Sequence, residues 1–198
     1  MKIESNKVYI IAGHNGKGTG ASSKWLDEGS ETIVLRDLIG LNLTRLGFFD
    51  YVLDDGTLGI GDNTKLSSVV AFMKKNAKES DLSIDLHFNA FGNQTANGCE
   101  VLVPFNATES ENKFANDLLS EVCTTLGLSS RGVKGEGSGH HSKLAMLSGG
   151  GVAGTNVLLE VCFCTNENDC KKYLSKREEL AFRIANLIVG FMKQPGIF

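Results

Sequence analysis

Apolar positions along the chain fall into two rhythms. Short runs dense in β-branched and aliphatic residues alternate with longer stretches in which apolar residues recur every three or four positions. The run Val8–Ala12 stops at Gly13, as a buried strand does when it delivers a loop to a sheet edge. Further strands are predicted over 48–53, 82–88, 98–104 and 155–163, the last being the most apolar, while 144–147 is short and ambiguous. Helical spacing starts at Ser30 and runs through Ile33, Val34, Leu38, Leu41 and Leu46, with Ser30 as N-cap and Gly47 as the stop. Glu31 then occupies the first turn. Other helices are predicted over 64–78, over 109–126 with Gly127 as its end, and over 177–193. Strands alternating with helices predict an α/β fold: a single twisted, mostly parallel mixed sheet of about six strands with helices on both faces. Residues 1–198 read as one catalytic domain, without repeats or a proline-rich linker.

Composition narrows the classes of function. With 41% hydrophobic residues in 198, the chain has enough apolar surface for a substantial core. No stretch approaches the roughly 20 apolar residues of a membrane span, so none is expected. The charged start and the short run after it lack the form of a signal peptide, which predicts synthesis in the cytoplasm without a leader of its own. A net charge of −3 leaves no basic footprint for a nucleic acid. Five cysteines, Cys99, Cys123, Cys162, Cys164 and Cys170, are an odd number in a chain that needs no staples, and are expected as reduced thiols.

In open α/β sheets functional groups collect at the C-terminal ends of strands. His14 follows the first strand, His87 ends a middle one and Glu160 lies late in the most apolar one. Glu31 is a fourth candidate, at a helix start where the macrodipole favours a carboxylate. Two histidines and a carboxylate form a donor set that suits zinc and leaves one position open.

The order of these pieces resembles the zinc-dependent N-acetylmuramoyl-L-alanine amidases of bacteria and their phages. Ile10-Ile11-Ala12-Gly13-His14-Asn15-Gly16 is similar to that family's strand and Gly-His-Gly-Gly loop. Glu31 resembles its carboxylate ligand, and Asp85-Leu86-His87-Phe88-Asn89-Ala90 its Ser-Ile-His-x-Asn-Ala segment. The segment from Val157 through Glu160 and Cys162 to Asn166 resembles its terminal Leu-x-Glu-x-Gly-Phe-x-x-Asn strand. The resemblance implies zinc on His14, Glu31 and His87, and hydrolysis between the lactyl group of N-acetylmuramic acid and the first L-alanine of the stem. It makes peptidoglycan the partner and Zn2+ the only cofactor. A compact catalytic domain of this kind is similar to a phage endolysin, acting on the wall after release, and is expected as a monomer.

Within that reading Glu160 is the catalytic carboxylate, because an amide nitrogen leaves well only when protonated and a partly desolvated carboxylate has a useful pKa. Asp85 stands where serine is usual and shares a strand face with His87; it either orients that histidine or pairs elsewhere. Cys162 replaces a glycine and, by strict alternation, falls beside Glu160, where it either crowds the site or lends a thiolate. The glycine-rich stretch 129–141 is either a loop that rims the site or a solvated loop with no role. Asn89, Arg131 and His140 are candidate substrate contacts, with Arg131 and Lys134 suited to stem carboxylates. Trp25 is either a sugar platform or a core residue.

Overall fold

The computed structural model describes residues 6–14, 16–53, 66–138, 143–148 and 151–194. Ten elements follow in order: β1 (Val8–Ala12), α1 (Glu28–Arg45), β2 (Tyr51–Leu53), α2 (Leu66–Asn76), β3 (Leu82–Asn89), β4 (Cys99–Val103), α3 (Glu109–Leu126), β5 (Ser130–Gly135), β6 (Thr155–Phe163) and α4 (Glu167–Met192). The strands form one sheet in the order β2-β1-β3-β6-β4-β5. All neighbours run parallel except β4 and β6, which are antiparallel. The expected mixed α/β sheet is therefore present.

Strand alternation sorts the core into two layers. Val8, Ile10, Ile84, Leu86, Phe88, Val157 and Leu159 pack with residues of α1, α3 and α4, including Leu35, Phe114 and Ile184. Tyr9 and Ile11 face the other way, onto Val69 and Met73 of α2 and onto Met146 and Val152. Helices thus cover both faces, which is why the central strands are apolar on both sides. Among the described residues no helix is long and apolar enough to cross a membrane.

Four boundaries differ from the sequence expectation. Helix α1 begins three residues before the expected Ser30–Glu31 start: Asp27 is its N-cap, and the Asp27 carboxylate accepts from both Ser30 N at 3.0 Å and Ser30 Oγ at 2.7 Å. Helix α4 begins at Glu167, ten residues before the expected start, capped by Asn166. Its first turns are polar because they lie over the β3–β4 loop: Asn166 Nδ2 donates to Gln94 O and Ala96 O. The segment 130–135, expected as part of a loop, is the edge strand β5. Edge strands need only one apolar neighbour, so its glycines and charges hide the pattern. Residues 144–147, ambiguous by pattern, form a turn.

The fourth difference is a bulge. Glu160 is paired with His87, but the next registered pair is Phe163 with Asn89, so Val161 and Cys162 together oppose Phe88. Cys162 therefore turns into the main core beside Cys164 and Cys170 rather than sitting next to Glu160. Burial pushes the Cys162 thiol well above its ordinary range, with Cys170 and Asp169 adding to it. All five cysteines are free thiols, as expected.

Candidate active site

The site is built where β1 and β3 end and α1 begins. The chain leaves β1 through Gly13 and turns at His14, whose φ of 55° is the only positive value at a described non-glycine residue. Such a backbone is held only where its surroundings dictate it. Thr32 of α1 donates to Gly13 O at 2.7 Å, and Thr19 to His14 O at 2.8 Å. Asp27, besides capping α1, accepts from Gly18 N at 3.0 Å. The loop is thus pinned to the helix start, and a Cβ on Gly13 would collide with the His87 ring.

The first helical residue, Glu28, is 3% exposed, and its carboxylate faces both histidines. Glu28 Oε1 lies 3.1 Å from His87 Nδ1 and 3.0 Å from Phe88 N. Oε2 accepts from Ala21 N at 2.7 Å and stands 3.9 Å from His14 Nε2. The two imidazoles are perpendicular with centroids 5.1 Å apart. One donor atom from each of His14, Glu28 and His87 falls within 4.8 Å of the others. Burial pushes the Glu28 carboxyl up, but His87 and the two backbone donors outweigh it and hold the pKa below its usual value.

The expected ligand Glu31 lies elsewhere, which corrects the predicted set. Its carboxylate takes Arg177 Nη1 at 3.0 Å and the Tyr173 hydroxyl at 3.3 Å, tying α1 to α4. Three residues on a helix separate side chains by about 4.5 Å along the axis and by about 60° around it. A helix that starts at Glu28 points that residue at the histidines and points Glu31 at α4. The signal for this was Asp27, as good a cap as Ser30. Glu31→Gln is accordingly expected to lower stability by about 1–2 kcal/mol through the lost charged hydrogen bonds, while metal content stays at the wild-type level. Urea unfolding and metal analysis of the same sample check both halves, and loss of metal would return Glu31 to the ligand set.

Around His87 the carboxylates multiply. Asp85 Oδ2 is 3.3 Å from His87 Nε2, so the orienting alternative holds for Asp85. Burial alone would lower the His87 pKa, but Asp85 and Glu28 raise it well above the ordinary value, with a contribution from Glu160. Glu160 pairs with His87 across the β3–β6 ladder and with Glu100 across β6–β4. Burial, with added repulsion from Glu28, Glu100 and Asp85, pushes the Glu160 carboxyl up to about 7 despite attraction from His87. Its Oε2 is buried without a hydrogen-bond partner, as is Asp85 Oδ1.

Beyond Glu160 the same sheet face turns cationic. Glu100 accepts from Asn89 Nδ2 at 2.9 Å, Arg131 Nε at 2.9 Å and Lys134 Nζ at 2.6 Å. Burial raises the Glu100 carboxyl, but the two cations overcome it and keep the pKa low. Arg131 also lies over the Phe163 ring, 4.9 Å from its centre, a position that ring reaches because of the bulge. Trp25 is half-buried against the main core with Lys24 above it, the core alternative of the two. His140, with the rest of 139–142, lies outside the described residues.

These features fit a divalent cation. Two imidazoles and a carboxylate offer the donors zinc favours and leave one side of the set uncovered. Three acidic side chains gather on one histidine, and two of them have a buried oxygen without a partner, an arrangement that lacks positive charge. Fold and site together define an α/β protein with a candidate metal centre at the strand ends.

The model of the N-acetylmuramoyl-L-alanine amidase family matches residues 8–190. The chain belongs to this family of peptidoglycan amidases. The uncharacterised protein YqiI of Bacillus subtilis (strain 168) is 27% identical over 189 residues, covering 95% of this chain and 84% of its own. The catalytic domain of CwlV, an N-acetylmuramoyl-L-alanine amidase from Bacillus (Paenibacillus) polymyxa var. colistinus, has the same fold, with a TM-score of 0.73. Its identity is 21%, over 94% of this chain and 97% of that one. The amidase AmiC2 of Nostoc punctiforme superposes with a TM-score of 0.76 at 19% identity, over 96% and 98% of the two chains.

Proposed function

We propose that this protein hydrolyses the amide bond between N-acetylmuramic acid and L-alanine of peptidoglycan, holding zinc on His14, Glu28 and His87 and using Glu160 as general base and then general acid. The observation that carries the reading is the convergence of those three donors beside a buried carboxylate with an unpartnered oxygen. When bound, zinc supplies Lewis acidity that polarises the carbonyl and brings the pKa of water toward about 7.

The chain's own residues supply the rest. Asp85 fixes the His87 ring from behind, leaving Nδ1 directed at Glu28 and the donor cluster. Ala21 N and Phe88 N lock both Glu28 oxygens, so the centre is preorganised. Glu160, at about 7 in the structure, is matched to accepting the proton of attacking water and passing it to the departing nitrogen. A nearby cation will lower that value, which strengthens the base form at neutral pH.

Glu160→Gln tests this assignment. General acid–base catalysis contributes roughly 100- to 10,000-fold, so turnover, read as new N-terminal alanine released from purified peptidoglycan, is expected to fall by that much with metal content unchanged. Undiminished turnover in the variant, or wild-type protein that neither holds zinc nor releases alanine, overturns the proposal.

A further inference from the structure

One cluster near the site is used by none of these steps: Arg131 and Lys134 on β5, joined through Glu100. Two cations share a single carboxylate oxygen, and the other oxygen is taken by Asn89. The cluster therefore carries an excess positive charge next to a centre that is otherwise acidic. Its donors are not exhausted. Arg131 spends Nε on Glu100 and Nη1 on Asn97 O, and neither Arg131 Nη2 nor the remaining Lys134 protons engage another group among the described residues. Both side chains are about one-third exposed, and the guanidinium rests over the Phe163 ring, 4.9 Å from its centre. A planar, clamped and half-open guanidinium next to an ammonium is a receptor for a carboxylate.

The spacing says which carboxylate. Strands lie about 4.8 Å apart, and both cations lean back from β5 toward Glu100 on β4, so their charge sits roughly 5–7 Å from Glu160. An extended chain advances about 3.3 Å per residue, which places the partner about two residues from the scissile bond. The sugar side of that bond carries no free carboxylate, because the lactyl acid is the one tied up in the amide. We propose that Arg131 and Lys134, positioned by Glu100, bind the α-carboxylate of the second stem residue, a γ-linked D-glutamate, and that the protein selects stems in which it is free over stems in which it is amidated. This inference rests on the peptidoglycan-amidase reading above.

The test uses two muramyl dipeptides that differ only in that group, L-alanyl-D-isoglutamate and L-alanyl-D-isoglutamine. Their affinities are measured by calorimetry on the whole zinc-loaded chain carrying Glu160→Gln, so that neither is cleaved. The acid is expected to bind roughly tenfold tighter or more, as one charge-assisted pair provides. Adding Arg131→Ala is expected to bring the ratio to about one, and Arg131→Lys to restore part of it. Equal affinities in the parent, or a ratio that survives Arg131→Ala combined with Lys134→Ala, overturn the subsite. Failure of wild-type protein to cleave either compound counts against the amidase mechanism instead, and the affinity ratio still decides the subsite.

Discussion

Glu28→Gln is expected to remove metal and activity together, with affinity for zinc falling by more than the roughly 10- to 100-fold typical of lost outer partners. The substitution is isosteric, so the effect isolates charge and acceptor count. Glu28 accepts from Ala21 N on one oxygen and from Phe88 N on the other; an amide has one acceptor and must turn its NH2 toward one of these donors. A buried N–H left facing another donor costs about 1–3 kcal/mol, so stability falls as well. The neutral side chain also leaves the two histidines without their anionic companion. Zinc per chain by mass spectrometry and chelator competition read the first effect, and urea unfolding the second. Set beside Glu31→Gln, which is expected to destabilise while sparing the metal, the pair separates the two carboxylates cleanly. A Glu28→Gln protein with full zinc and full turnover would falsify the proposed ligand set.

Gly29→Ala is expected to be nearly as damaging without touching a functional group. A Cβ at Gly29 would run into Gly16 O and His14 O, both backbone atoms, and into Thr19 Oγ1. Gly29 also accepts from Gly16 N at 3.1 Å and donates to Thr19 O at 3.2 Å, so the loop is bonded directly onto this residue. Backbone cannot swing aside as a side chain does, and overpacking of this kind costs about 1–3 kcal/mol, at times more. The loop must lift from the helix, carrying His14 away from Glu28. The expected result is a lowered melting temperature together with weakened metal binding. Thermal unfolding with and without added zinc checks it: a variant whose melting temperature and zinc response both match the wild type shows that the loop has room to spare.

Much of this was legible from residue order. Strand β6 is apolar enough that burying Glu160 in it demanded an explanation, and His14 and His87 each follow or end an apolar run. The sheet class followed from alternation of strand and helix. What stayed hidden depends on information that local pattern does not carry. Asp27 and Ser30 are equally good caps, and the choice between them is made by contacts 9 and 3 residues away, to Gly18 and within the cap itself; that choice alone decides whether Glu28 or Glu31 meets the histidines. Strand β5 has no apolar rhythm because its pairing with β4 is satisfied by backbone, and its charged residues are explained only by Glu100, more than thirty positions earlier. The bulge in β6 has no sequence mark of its own.

That bulge has a chemical consequence for the kind of metal centre the fold permits. A strictly alternating β6 would present a thiol alongside Glu160, within the reach of a cation held at the strand ends. Sulfur is a stronger zinc donor than water, and a centre with four protein donors is a structural stopper with nowhere for a reactant to enter. By slipping the phase at Val161 and Cys162, the strand hides its sulfur behind the sheet, so a cation held by His14, Glu28 and His87 would keep its fourth position for water. One inserted residue of backbone thus separates the proposed reactive centre from an inert clip.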